Sequence, residues 1–547
     1  MAIHHSQPGS FTRPQQNTLR ASIMPAPTSG IDARAPVGNM PPDVCIYTYN
    51  LMPSEYGMIL RPGYREWCID LNQGSSTGVY TMMPFTGLQP GATDDRLFAV
   101  TNEGIWDVTE YDDPDFKFTF PSQSLGAGHG VYAHYVDQAA NEFLLYADTL
   151  NGLHEYDPQT DTWGLATDID GPTIGAIVFV VVHKQRLWVV EEGSSSAWYL
   201  PIASKNGQAE EFYFGAKFPH GGRVAGLFNW TVDGGLGIDD FLVVVSTSGD
   251  VVVYQGEDPG SAETWSVRGT YFIGEIPVGR RFASEYSGDL YLLSAFGLIS
   301  MSDLIRGVDS QNPAETSLSF RVARPLREAI KRGKNDYGWE PVFTPSDGRL
   351  VITTPLSSSP GEQQIQYTLN LATEGWGFWR GVPALSLDQY GGRLFFGTED
   401  SKVHVMDVAR DAVQITPPED AENGRPVTFS ILSSYQHLGE KAVFKRVQMV
   451  RPDFFSQSAP TTTHRVLYDY DFTEPVQPPS KPILEEFDWD VAEWDAAIWT
   501  TESGAGQSFL IGASGVGRTV AIAMRGEAVD ETRLISWDIM WTTGGPI

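Results

Sequence analysis

The side chains with which this chain could do chemistry are ten histidines, two cysteines and 68 aspartates and glutamates. Their spacing supports little of it. His4 and His5 sit in a mobile-looking N-terminal stretch, His129 and His134 fall in a glycine-rich connection, and no H-E-x-x-H run places two imidazoles on one helix face. Cys45 and Cys68 are too few for a structural zinc site, and with no wider disulfide framework they read as free thiols made in a reducing cytoplasm. The acids of "DIDG" (168–171) and Asp239–Asp240 could hold calcium at a loop, although solvated turn acids are the commoner use of such groups. "GAGHG" (126–130) and "GASGVG" (512–517) are rich in glycine but lack the strand-to-helix setting of a phosphate loop. There is no nucleophile elbow. The chain therefore reads as a non-enzyme with no cofactor and no bound metal. One catalytic possibility stays open, because a glycan hydrolase built on a propeller needs carboxylates and arginines converging on a central channel. Convergence of that kind is not visible in a linear pattern.

The elements that must position these groups are strands. With 547 residues the chain is long enough for two or three domains, and 55 glycines and 36 prolines punctuate short runs of Val, Ile, Leu, Phe and Tyr. That texture predicts an all-β protein. A net charge of −31 argues against a nucleic-acid binder that works by neutralising phosphates, and an acidic surface repels DNA and anionic membranes. The N-terminus lacks an apolar signal segment, and the most apolar run, "AIVFVVV" (176–182), is too short to span a bilayer. A soluble protein with no membrane span is expected.

Four regions follow from composition and repeats. Residues 1–42 are rich in Pro, Ser, Ala and Gln and predict an extended N-terminal arm. Residues 43–78 predict strands that join a platform. From 79 to 410 a hairpin recurs seven times, at 96–110, 143–157, 186–200, 241–256, 289–303, 349–371 and 393–408. This spacing is close to the length of a propeller blade, and predicts a β-propeller of six or seven blades rather than a set of unrelated hairpins in sandwiches. "YDPQTDTWG" (156–164) and "LNLATEGWG" (369–377) share a polar turn residue followed by Thr and Trp, so Trp163 and Trp376 are candidates for packing between adjacent blades. One segment breaks the β texture. "RVARPLREAIKRGKNDYGW" (321–339) predicts a short basic helix that starts near Pro325 and stops near Gly333. Its Arg324, Arg327, Lys331 and Arg332 could contact DNA or an acidic protein, or simply be the solvated face of a helix that packs Leu326 and Ile330 inward. Residues 411–547 leave the repeat and predict a β-rich C-terminal platform domain.

In "FDWDVAEWDAAIWT" (487–500), Trp489, Trp494 and Trp499 recur every five residues, which matches neither a helix nor a strand. They are candidate subunit-interface anchors in an extended segment, or they pack inside their own domain.

Taken in order, "YNLMPSEYGMILRPGYREW" (49–67), "LGEKAVFKRVQMVRPDF" (438–454), "WDVAEWDAAIW" (489–499) and "GRTVAIAMRGE…LISWDIMWTTGG" (517–545), flanking a propeller-like middle, resemble the tail nozzle or tail hub proteins of short-tailed bacteriophages, also called packaged-DNA stabilisation proteins. The resemblance is diffuse and spans most of residues 43–547. It implies a virion protein, synthesised in the host cytoplasm, that forms a homo-oligomeric ring, usually of six copies. Such a ring lies against a tail adaptor and tail fibre or spike proteins, retains the packaged genome and conducts double-stranded DNA without binding it specifically. It implies no catalytic residues. The chain departs from the family in lacking an obvious long tip domain, which leaves its gating open. A propeller that binds or cleaves host surface glycan is the alternative, and a bacterial propeller scaffold unrelated to phage is a third.

Overall fold

Between residues 79 and 408 the short apolar runs pair into seven antiparallel blades, six of them small separate sheets and one the first four strands of an eight-stranded sheet. The computed structural model describes residues 18–74, 77–87, 95–233, 238–306, 317–356, 363–417, 423–479 and 510–544. Each of the seven hairpins read from the sequence pairs within one blade, from Arg96–Thr101 with Gly104–Asp107 in the first to Arg393–Gly397 with Val403–Val408 in the last. The innermost strands are Val79–Phe85, Gly130–Val136, Ile177–His183, Val224–Asp233, Ala283–Tyr286, Glu340–Thr344 and Ser386–Tyr390. The blades neighbour one another in that order, the fourth meeting the fifth through Asp289–Ser294, and the last innermost strand lies against the first. The result is a closed seven-bladed β-propeller, an architecture that leaves each sheet only short edges.

Closure of the ring corrects one expected boundary. Gly63–Cys68, expected in the platform, pairs antiparallel with Val403–Val408 as the outermost strand of the seventh blade. A ring whose last blade borrows a strand from before its first is clasped by hydrogen bonds instead of being left with an open edge. Glycine is needed at 63 because a Cβ there would meet the carbonyl oxygen of Arg410 at 2.1 Å. Buried Glu66 on the same strand accepts from Lys402 at 2.7 Å.

Aromatic residues fill the spaces between blades. Trp188 and Tyr254 both stack on Trp265, with centroids 6.1 and 5.6 Å away, joining the third blade to the fourth. Among the described residues the fifth blade has three strands. Two helices follow it: Met301–Ile305, capped by the Ser300 hydroxyl, and Ala323–Gly333. The second buries Leu326 and Ile330 in the core shared by the blades and the platform, and its end is tied down by a 2.7 Å hydrogen bond from the Trp339 indole to the Gly333 carbonyl.

Both chain ends build the platform. The outer strand of the sixth blade, Trp376–Arg380, continues through the parallel strand Cys45–Tyr49 into Val427–Ser433, Val520–Ala528 and Thr461–Tyr468. A second sheet joins Leu51–Ser54 and Gly57–Leu60 to the long strands Thr532–Gly544 and Phe444–Ser456. The described part of the expected arm is not a free extension. Arg20–Pro25 pairs with Trp541 to Ser536, and Met24, Ala26 and Ile31 are buried. Strand pairing here satisfies backbone groups of Thr532–Gly544 that would otherwise lie on an open edge.

Where propeller meets platform, the Arg61 side chain is fully buried and all five of its N–H donors are used. Nε donates to Asn50 Oδ1 at 3.0 Å, and the two terminal nitrogens grip Asp411 at 2.7 and 2.6 Å while also reaching the carbonyls of Pro62 and Arg380. Among the described residues no helix is long and apolar enough to cross a membrane.

Candidate functional site

Innermost strands from six of the seven blades surround a cavity of about 380 Å³ at the propeller axis. Polar side chains on these strands reach across it. Tyr132, from the second blade, donates its hydroxyl to Asp388 of the seventh at 2.7 Å. Arg281, just before the first strand of the fifth blade, donates to both oxygens of Glu340 at 3.3 and 3.4 Å and to the Tyr80 carbonyl at 2.7 Å. Three blades are thereby joined through one guanidinium. Near this end the imidazole of His129 lies between the rings of Tyr80 and Tyr337, each centroid 4.4 Å away.

The electrostatics follow from burial. Loss of water pushes the Asp388 carboxyl up to about 7, the neighbouring Glu340 adds to the rise, and the Tyr132 hydrogen bond opposes it. Burial also raises Glu340 despite the opposing charge of Arg281. His129 is pushed down to about 3 by burial, with Arg281 adding repulsion, so it is neutral at physiological pH. The axis therefore holds three carboxyls raised by burial (Asp388, Glu340 and Glu285), the Arg281 guanidinium and the Tyr132 phenol, beside the half-buried rings of Phe228 and Tyr286. Arg280 also lines the cavity, but its guanidinium is directed to the Val224 and Ala225 carbonyls and to Glu192. Such an arrangement can donate and accept hydrogen bonds at closely spaced points. Among the described residues no three His, Cys, Asp or Glu side chains come together as a metal site requires.

The residues singled out by sequence lie elsewhere. Trp163 is buried with its ring 5.2 Å from Phe98 of the first blade and 5.5 Å from Tyr156 of its own, so it stands between blades. Trp376 is buried, and its indole donates to the Leu318 carbonyl at 3.2 Å in the segment that follows the fifth blade. On the basic helix, Arg324, Lys331 and Arg332 are exposed, and Arg324 pairs with Glu328 one turn on at 3.2 Å. Arg327 is half-buried. This basic face lies away from the axial cavity. Trp489, Trp494 and Trp499 lie outside the described residues. Cys45 and Cys68 are free and buried.

Sequence reasoning missed Tyr132, Arg281, Glu340 and Asp388. The one available signal was a polar residue in or beside the strand that precedes a counted hairpin, as in "GVYAHYV", "RRFASEY", "EPVFT" and "SLDQY". Which of these point to the axis depends on strand register and blade closure.

No known protein family matches the chain, and no curated protein does. Among solved structures, the extracellular domain of a hybrid two-component system protein from B. thetaiotaomicron is similar at 12% identity and a TM-score of 0.39. The match covers 71% of this chain, which spans about half (51%) of that one. A likeness at that level carries no argument about function.

Proposed function

We propose that this chain is a structural component of a short-tailed phage tail, a nozzle or hub ring that closes the DNA channel, retains the packaged genome and conducts it during ejection. The observation that carries the reading is the weave of both chain ends. Strands Arg20–Pro25 and Gly57–Leu60 pair with Thr532–Gly544 in one platform sheet, beside a propeller. The resemblance implies this division of labour, a propeller standing outside a platform built from both chain ends. The net charge of −31 supports it, since an acidic channel wall lets double-stranded DNA slide without sticking. In this reading the partners are further copies of the chain in a closed heterologous ring of six, the tail adaptor, and fibre or spike proteins. The protein acts in the virion and performs no catalysis.

The test is electron microscopy of particles labelled with antibody to this protein. Label at the single tail vertex, with a six-fold average there, is the expected result. Label on peripheral fibres, or on no particle, would overturn the nozzle reading. A second reading, a propeller that binds or cleaves host glycan, is favoured by one observation: carboxyls and an arginine do converge at the axis.

A further inference from the structure

We infer that the axial cavity is a binding site for a neutral monosaccharide or disaccharide. This deepens the glycan-handling reading of the propeller and is independent of the ring. Size sets the first limit. At about 380 Å³ the space is at the small end of the range for small-molecule sites, roughly 300–1,000 Å³, so it admits one or two sugar rings and not a long oligosaccharide.

Charge narrows the class. Glu285, Glu340 and Asp388 bring carboxyls to the cavity, and Arg280 and Arg281 bring guanidinium groups. The Arg281 charge is already met by Glu340, and Arg280 is turned toward Glu192, so a free anion would face carboxylates with no unpaired cation to receive it. A cation would be held beside Arg281. A neutral ligand meets neither penalty.

Hydrogen-bonding pattern and walls narrow it further. Donors and acceptors both line the cavity: Tyr132 donates to Asp388 and Arg281 to Glu340, while the Ser284 hydroxyl and the Glu285 carboxylate add a further donor and acceptor. A polyhydroxylated ring offers both at every carbon, and each matched hydrogen bond to a charged group adds to its retention. The half-buried rings of Phe228 and Tyr286, the latter stacked on Phe343 with centroids 4.5 Å apart, give the cavity an aromatic wall for the C–H side of a pyranose. These groups come from the second, fourth, fifth, sixth and seventh blades, so the site exists only in the closed propeller.

The experiment uses the full chain with glucose, galactose, N-acetylglucosamine, lactose and maltose as probes, and glucuronate and spermidine as charged comparators. Binding is read by saturation-transfer NMR and titration calorimetry. We expect saturable binding of at least one neutral sugar, weakened roughly tenfold or more in Tyr132→Phe and Glu285→Gln, and lost in Ser284→Leu, which fills the cavity. Hydrogen–deuterium exchange on the unaltered protein provides a reading that needs no variant. The bound sugar should protect the peptides around 281–286 and 340–343. Sugar binding that protects other peptides, or is untouched by folded variants, would sink the axial site while leaving glycan handling standing. No sugar binding at millimolar concentration would remove both. Tighter binding of glucuronate or spermidine would overturn the neutral class.

Discussion

Replacing Asp411 with alanine removes the counter-charge of a cation buried between propeller and platform. The Arg61 side chain has no exposed surface and Asp411 is 6% exposed, so water cannot take over the lost contacts. Two charge-assisted hydrogen bonds disappear, and an uncompensated guanidinium remains between propeller and platform. Breaking a buried pair in this way costs about 3–5 kcal/mol. The double variant Arg61→Met with Asp411→Leu removes the stranded charge. What it leaves unsatisfied can be counted. Asn50 Oδ1 keeps the Arg380 amide at 2.8 Å, and the Arg380 carbonyl keeps the Asn50 amide at 3.1 Å. Among the side-chain acceptors of Arg61 that leaves chiefly the Pro62 carbonyl, at a cost of about 1–3 kcal/mol. The double variant should therefore be more stable than Asp411→Ala alone. Equilibrium urea unfolding followed by tryptophan fluorescence measures both, provided the slope against urea is unchanged, so that the same unit unfolds. An Asp411→Ala loss below about 1 kcal/mol, or a double variant less stable than the single one, would refute the reasoning.

Three further outcomes follow from the same structure. The raised carboxyl of Asp388, near 7 against an ordinary value of 3.8, binds its proton more tightly in the folded state, so its contribution to stability is full below about 4 and is lost as pH rises toward 7. Asp388→Asn should flatten the stability-versus-pH curve over that window, and an unchanged difference between variant and parent would count against the axial arrangement. On the helix Ala323–Gly333, Leu326→Ala should cost about 2–5 kcal/mol because the residue is fully buried, whereas Arg324→Ala should cost only about 0.3–0.5 kcal/mol for its exposed pair with Glu328. Thermal unfolding of the two variants checks the contrast. Gly63→Val should loosen the clasp on the seventh blade by about 1–3 kcal/mol or more and expose the Val403–Val408 edge to proteolysis, while Gly164→Ala, where a Cβ meets nothing within 4 Å, should leave the cleavage pattern unchanged.

Much of the propeller was legible because its signal is local. Alternating apolar residues and glycine or aspartate turns specify a hairpin within about 15 residues, and seven such hairpins were countable before any pairing between them was known. The helix was legible for the same reason: Leu326 and Ile330 stand four apart on one face, Pro325 near its start and Gly333 at its end. The sequence by itself therefore determined which segments are strands, where the one basic helix lies, and that the surface is strongly acidic.

Pairings that join distant residues were decided only by the tertiary structure. The number of blades rests on which innermost strands meet around the ring, and its clasp joins Gly63–Cys68 to Val403–Val408 across more than 300 positions, though nothing in either strand names the other. Arg20–Pro25 looked like a loose arm because its ordering comes from the ladder offered by Thr532–Gly544, not from an apolar pattern of its own. The axial cavity is the extreme case. Tyr132, Arg281, Glu340 and Asp388 are ordinary residues until ring closure turns their strands toward one axis, removes water from between them and raises the cost of charge there. Local propensity writes the strands; burial and ring closure, which are properties of the whole chain, make the site.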